Sequence, residues 1–156
     1  MSLAAGVVET YLRDTLLPAV VSSGTTILAG PMGRANVAGD ACWVADISSD
    51  VARTVYGTAR THDEQLTVEI VFSSSRPGRI EVQTDATAAA LANASALYDY
   101  LKTVGTETLG TDTNTAVRCR VAEIIGYTLT KSDDPDVITQ VRNSQVAVTL
   151  RVTARV

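Results

Sequence analysis

The feature that most constrains the fold is an alternating stretch at residues 143–156 (NSQVAVTLRVTARV). From position 146 onward the even positions carry Val, Leu or Ala, and the odd positions carry Ala, Thr or Arg. A period of two residues is that of a β-strand with one face on a core and the other facing water or a partner. The stretch therefore predicts a long strand that is tied into a sheet.

Shorter patterns predict the other elements. An amphipathic helix is expected from residue 2 to about residue 17, ended or kinked by Pro18, and a second from residue 84 or 85 to residue 104. The other predicted segments are strands at 25–29, 41–47, 51–60 and 65–72, a polar turn at 73–79, a short hairpin partner at 80–83 and a long or bent strand at 116–130. Of these, the strand at 65–72 alternates most clearly and is expected to be central.

Helices that are separated by runs of strands favour an α+β fold. We expect a mostly antiparallel or mixed sheet with two main helices packed on one face. A chain of 156 residues fits a single domain, here 1–156. Residues 30–40 (GPMGRANVAGD) are predicted to form a flexible glycine-rich arm.

Composition and charge narrow the class of function. A formal net charge of −4 and a sequence pI of about 4.9 argue against a general nucleic-acid binder, which needs a basic face. No apolar run approaches the roughly 18 residues of a membrane span, and no secretory leader is recognisable at the start. Cys42 and Cys119 suit buried thiols in a reducing compartment. The expectation is an intracellular protein without membrane contact.

Residues that carry catalysis are sparse. His62 is the only histidine, and no nucleophile motif surrounds it. Asp133, Asp134 and Asp136 lack the glycine and the distal glutamate of an EF-hand, and the glycine-rich segment lacks a phosphate-loop pattern. We therefore expect no enzymatic activity, no metal and no cofactor.

Arginines remain as candidate interface residues. Eleven of the thirteen basic residues are arginine, the cation better suited to pairing at interfaces. The candidates lie in the two last predicted strands and in or near the glycine-rich arm: Arg34, Arg53, Arg118, Arg120, Arg151 and Arg155. An ordinary solvated surface explains them equally well, because exposed charges are common.

The order and texture of these segments resemble the tail terminator proteins of long-tailed (siphovirus-type) bacteriophages. The segments that carry the resemblance are LLPAVV, GPMGRANVAGD, LTVEIVF, TAAALANASALYDYLKTV, AVRCRVAEIIGYTL and VAVTLRVTARV. The resemblance implies a virion structural protein, assembled in the host cytoplasm, at the head-proximal end of the tail. It implies a homo-oligomeric ring, a hexamer, that caps the tail tube, ends tube polymerisation and meets the head-tail connector protein.

DNA would pass through such a ring without specific binding, and an acidic protein is compatible with that. Two alternatives stay open within virion proteins, a head completion protein and a tail tube subunit. A third alternative comes from a different class: a small-molecule-binding α+β domain with a pocket under the glycine-rich arm, near Trp43 and Tyr56.

Overall fold

A computed structural model of the chain describes residues 4–31, 39–52, 63–104, 118–133 and 141–155. The helical segments are α1 (Ala4–Tyr11), a π-helical turn (Leu12–Leu16), α2 (Leu17–Val20) and α3 (Val82–Val104). The strands are β1 (Thr26–Leu28), β2 (Gly39–Ala52), β3 (Asp63–Pro77), β4 (Arg118–Asp133) and β5 (Val141–Arg155).

The five strands form one mixed sheet in the order β1-β2-β3-β5-β4. Only the short β1 is parallel to its neighbour β2; the other described pairs are antiparallel. The predicted C-terminal strand is confirmed as β5, which lies between β3 and β4. The predicted central strand is confirmed as part of β3, the third of the five strands. The antiparallel pairs and the separate helical segments confirm an α+β fold with a mixed sheet.

One face of the sheet carries the core. Alternate residues of β3 and β5 are almost completely buried there, as the period-two pattern predicts: Leu66, Val68, Ile70, Phe72, Val146, Val148, Leu150, Val152 and Ala154. Residues of the N-terminal helical segment and of α3 belong to the same buried cluster. Both helical segments therefore cover one side of the sheet. Helix α3 is the main one, and it packs most extensively on β3 and β5.

The N-terminal helical segment continues past Pro18 to Val20, whereas the sequence predicts its end or a kink near that proline. Proline lacks a backbone N–H and its ring collides with the preceding turn of a regular α-helix. The π-helical turn before it widens the helix, since the Leu17 N–H bonds to the Leu12 carbonyl five residues earlier. The helix is thus distorted in the turn before the proline, and it does not end there.

Helix α3 begins at Val82, so the predicted hairpin partner at 80–83 is wrong. Its buried side consists of Ala86, Ala90, Asn93, Ala94, Leu97 and Leu101. The apolar pattern of the sequence also predicts Ala88 and Tyr98 on the inward side of this helix, but both are exposed. Asn93 faces inward because its side chain makes two hydrogen bonds. Its Oδ1 accepts the Ser22 N–H at 3.0 Å, and its Nδ2 donates to Thr25 Oγ1 at 3.3 Å. A buried amide that ties two segments together is invisible to an apolar pattern.

The predicted turn at 73–79 is wrong in its first part, because β3 runs on to Pro77. Ser73, Ser74 and Ser75 are buried in the strand. Each hydroxyl has a partner: Ser73 Oγ donates to Asn143 Oδ1, Ser75 Oγ accepts from Asn143 Nδ2, and Ser74 Oγ donates to Asp40. Hydrogen bonds across the sheet let these polar residues occupy strand positions.

The two strands predicted at 41–47 and 51–60 are one strand as far as Ala52. A register shift between Val44 and Asp46 marks a bulge in β2. A bulge reverses the alternation of side chains, so a period of two residues is not kept through the segment from Val44 to Asp46. Residues 53–60 lie outside the described residues, and so do residues 32–38 of the predicted arm at 30–40. The last two residues of that arm, Gly39 and Asp40, belong to β2 and are not part of a flexible arm.

Leu150→Ala should lower the free energy of unfolding by about 2–5 kcal/mol, because Leu150 is completely buried in the middle of β5 and the change leaves a cavity. Thr67→Ala, on the exposed side of β3, should cost less than about 1 kcal/mol. Urea unfolding followed by circular dichroism measures both values. Equal costs for the two variants would contradict the placement of β5 in the core.

Candidate functional site

The sheet has a second, polar face on the side opposite the core. Its residues alternate with the buried ones and lie in register across the strands: Asp46, Ser48 and Asp50 on β2; Gln65, Thr67 and Glu69 on β3; Thr149, Arg151 and Thr153 on β5; and Glu123 on β4. We call these ten residues the polar face. All are exposed or half-buried, and no described helix packs over them. The polar face is open to water or to a partner.

Four carboxylates and one described guanidinium make this face acidic. Arg151 Nη1 lies 3.4 Å from Glu123 Oε1, and about half of each side chain is exposed. An ion pair in such a position contributes about 0–1 kcal/mol, because water screens it and both side chains lose freedom. Arg151 thus contributes little to the stability of the fold and retains the capacity to bind another acidic group.

The structure brings part of the predicted arginine set together. Arg151 and Arg155 occupy positions of the same parity on β5, and Arg118 is the register partner of Arg155. A register shift between Cys119 and Val121 interrupts the alternation of β4, so Arg118 and Arg120 do not share a face by simple parity. For Arg118, Arg120 and Arg155 the description is limited to the backbone. Arg34 and Arg53 lie outside the described residues.

Trp43 is buried among apolar neighbours. It is buried with Ala41 and Val71 in a small apolar cluster at one end of the sheet face opposite the core, where Leu28 and Ala147 pack against it. Tyr56, the other residue of the predicted pocket, lies outside the described residues. The pocket alternative therefore gains no support at this position.

An apolar groove occurs instead on the core side of the sheet, between α3 and β4. It has a volume of about 200 Å³ and is lined by Leu91, Ala94 and Tyr98 of α3, Ile124 and Tyr127 of β4, and Val148 of β5. Next to it, large apolar side chains are exposed: Tyr98 by 55%, Ile125 by 45%, Tyr127 by 68% and Leu129 by 36%. We call this region the edge groove.

The edge groove lies along an edge strand. Within the described part of the sheet β4 pairs only with β5, so its other side presents unpaired backbone groups. A long edge with exposed apolar side chains favours pairing with another chain. Sequence reasoning missed this feature. The sequence shows Ile125, Tyr127 and Leu129 alternating with Gly126, Thr128 and Thr130, but only the topology places this strand at an edge.

A polar cluster lies at the start of β2, around Asp40. Asp40 Oδ1 lies 2.9 Å from Arg76 Nη1 and accepts a hydrogen bond from Ser74 Oγ at 2.7 Å. This arrangement satisfies the carboxylate and joins β2 to β3.

Two kinds of feature are absent from the described residues. No group of three or more His, Cys, Asp or Glu side chains there is placed to hold a metal ion. Among the same residues, no helix has the length and apolar character that crossing a bilayer requires.

No protein-family model matches the chain, and no curated protein is significantly similar to it in sequence. The polar face, the edge groove and the strand edges are therefore the features from which a function is argued.

Cys42 should be unreactive in the folded protein. Burial raises the pKa of its thiol to about 11, and the side chain has no solvent exposure. In a Cys119→Ser background, a maleimide at pH 7.5 should label Cys42 only after unfolding in urea. Adding Ser48→Cys to that background provides an exposed thiol as a control, which should react at once. Equally fast labelling of Cys42 in the folded protein would contradict its burial.

Proposed function

We propose that this chain is the subunit of a ring, a hexamer, that caps the tail tube of a long-tailed bacteriophage. The ring ends polymerisation of the tube and joins the tail to the head-tail connector protein. Its location is the head-proximal end of the virion tail, after assembly in the host cytoplasm, and it has no catalytic activity. This proposal rests on the resemblance of the sequence segments and on surfaces that suit such an assembly.

The single observation that carries the proposal is the polar face. Threonine, serine and glutamine side chains alternate there with Asp46, Asp50, Glu69 and Glu123, and Arg151 is paired with one of these acids. Binding of DNA depends mainly on cations that neutralise phosphates. A hydrated surface with an excess of carboxylates repels phosphates and lets DNA slide past. We infer that this face lines the central channel of the ring.

The position of the helices supports the same arrangement. The N-terminal helical segment and α3 pack on the core side of the sheet. In a ring whose channel is lined by the polar face, both helical segments lie on the outside. The side with more bulk is then at the larger radius, where there is more room.

The edge groove favours protein contact over the small-molecule alternative. Ligand pockets usually have volumes of about 300–1,000 Å³ and enclose most of the ligand. A groove of about 200 Å³ beside exposed tyrosines is smaller and more open. Ser95 also lines the groove, and the lining residues with polar side chains are Ser95, Tyr98 and Tyr127, a poor set for orienting a charged metabolite.

Light scattering of the purified protein, with electron microscopy of any large species, tests the proposal. We expect either a ring in solution or a monomer that forms a ring when tail tube protein is added, and we expect added protein to stop tube elongation. A monomer at all concentrations that leaves tube growth unchanged would contradict the proposal. A shift in Trp43 fluorescence on adding metabolites, without assembly, would favour the small-molecule alternative.

Arg151→Glu combined with Arg155→Glu should weaken assembly and leave the fold intact. Arg151 is half exposed and its pair with Glu123 is weak, so the fold tolerates the change, whereas two added acids on the face that lines the channel raise the repulsion between copies and with a stacked ring. Lys102→Glu, an exposed change on α3, is the matched control. Circular dichroism checks folding and light scattering checks assembly. Normal assembly by the double variant would remove these arginines from the interface.

A further inference from the structure

The sheet has two open edges within the described residues. One is the whole outer side of β4. The other is the second half of β2, because β1 covers only Ala41 to Trp43 and no other described strand pairs with residues 44–52 on that side. Both edges present backbone N–H and C=O groups that another strand can use.

We propose that β4 of one copy pairs with the open half of β2 in the next copy, so that the sheets of neighbouring copies join around the ring. This inference rests on the proposed ring and specifies its contact. The contact is heterologous, since different edges of the two copies meet, and such contacts generate rings when the rotation closes.

Strand direction supports this pairing. In the sheet, β2 and β5 run in one direction, and β3 and β4 run in the opposite one. Rotation about an axis roughly along the strands preserves these directions from copy to copy. The β4 strand therefore meets the next β2 antiparallel, which is the more stable form of pairing.

The register also places the arginines of β4 near the acids of β2, since Arg118 is level with Ala52, two residues from Asp50. Following the pairs across the sheet, Asp50 is level with Val121, Ser48 with Glu123, and Asp46 with Gly126. The open half of β2 carries Asp46, Asp50 and no basic residue. The facing part of β4 begins with two arginines at positions 118 and 120, and its one acid, Glu123, is paired with Arg151.

Apolar surface continues the contact beyond the charged part. Leu129 of β4 is level with Cys42 of β2, whose β1 partner is Ile27. Leu129 is exposed and Ile27 half-buried in the single chain. When β1 of the next copy lies beside the C-terminal half of β4, Leu129 and Ile27 come together. This arrangement also covers part of the exposed Tyr127 beside the edge groove.

Cysteine cross-linking tests the pairing directly. In a Cys119→Ser background, Glu123→Cys is combined in turn with Asp46→Cys, Ser48→Cys and Asp50→Cys, which allows for a stagger of two residues in either direction. Side chains opposite each other on antiparallel strands have Cβ atoms about 4.5–5.5 Å apart, so a short bismaleimide spans them. At least one pair should give a covalent ladder that ends at the mass of the full ring.

The single-cysteine variants are the controls and should remain monomeric on denaturing gels. Dimers from Glu123→Cys alone would overturn the proposal, because they would show β4 pairing with β4 in a two-fold contact. Rings that form without a ladder from any pair would also overturn it and leave the proposed function standing. Absence of rings from the unmodified protein, even with tail tube protein added, would instead contradict the proposed function.

Charge reversal gives a second, independent test. One variant carries Asp46→Arg and Asp50→Arg, so both of its edges are basic; another carries Arg118→Glu and Arg120→Glu, so both are acidic. Each alone should need at least about tenfold more protein to assemble, because like charges meet. An equimolar mixture should restore rings in which the two variants alternate. Asp99→Arg with Lys102→Glu on α3 is the control, and no rescue by mixing would contradict the pairing.

Discussion

The burial of one side of β5 is the constraint on which the rest of the structure depends. Val146, Val148, Leu150 and Val152 are almost fully buried, and β5 is the strand that joins β3 to β4. Its register with β3 runs through fifteen consecutive pairs without a shift. A shift of one residue would turn every apolar side chain of the strand toward water. The core therefore fixes the register, and the register fixes which polar residues meet on the other face.

Elements that are buried on one side were predictable, and elements whose position depends on hydrogen bonds or on topology were not. Period two identified β5 and the centre of β3, since each strand has one buried face. Ser73, Ser74 and Ser75 looked like a turn because their partners, Asn143 and Asp40, are distant in sequence. The inward side of α3 was mispredicted for the same reason, because the partners of Asn93, Ser22 and Thr25, are also distant in sequence.

The candidate site was predictable only in part. Arg151 was identified, and its place on an exposed face followed from the alternation of β5. The acidic partners on β2 were missed because the bulge after Val44 disrupts the pattern through which a face is recognised. The edge groove was missed for another reason: strand order is not written in local sequence, so an apolar strand at an edge resembles an apolar strand inside a sheet.

The polar face and the open edge of β4 differ in what they require from their surroundings, and both requirements can be met together. A polar face tolerates water on its side of the sheet, whereas an open edge with Ile125, Tyr127 and Leu129 exposed gains stability when another chain covers it. Joining copies edge to edge satisfies the second demand without covering the polar face.

Closure of such an array follows from its two-layer construction. The helices lie on one side of the sheet only, so the two sides of the subunit differ. Sheets also twist and coil, which favours curved arrays over flat ones. A head-to-tail contact that curves with the helices outward closes into a ring, whereas a straight one grows into a filament. In the proposed ring, the same edges that would make an isolated chain prone to aggregation become the contacts of a finite assembly, with the polar face toward its centre.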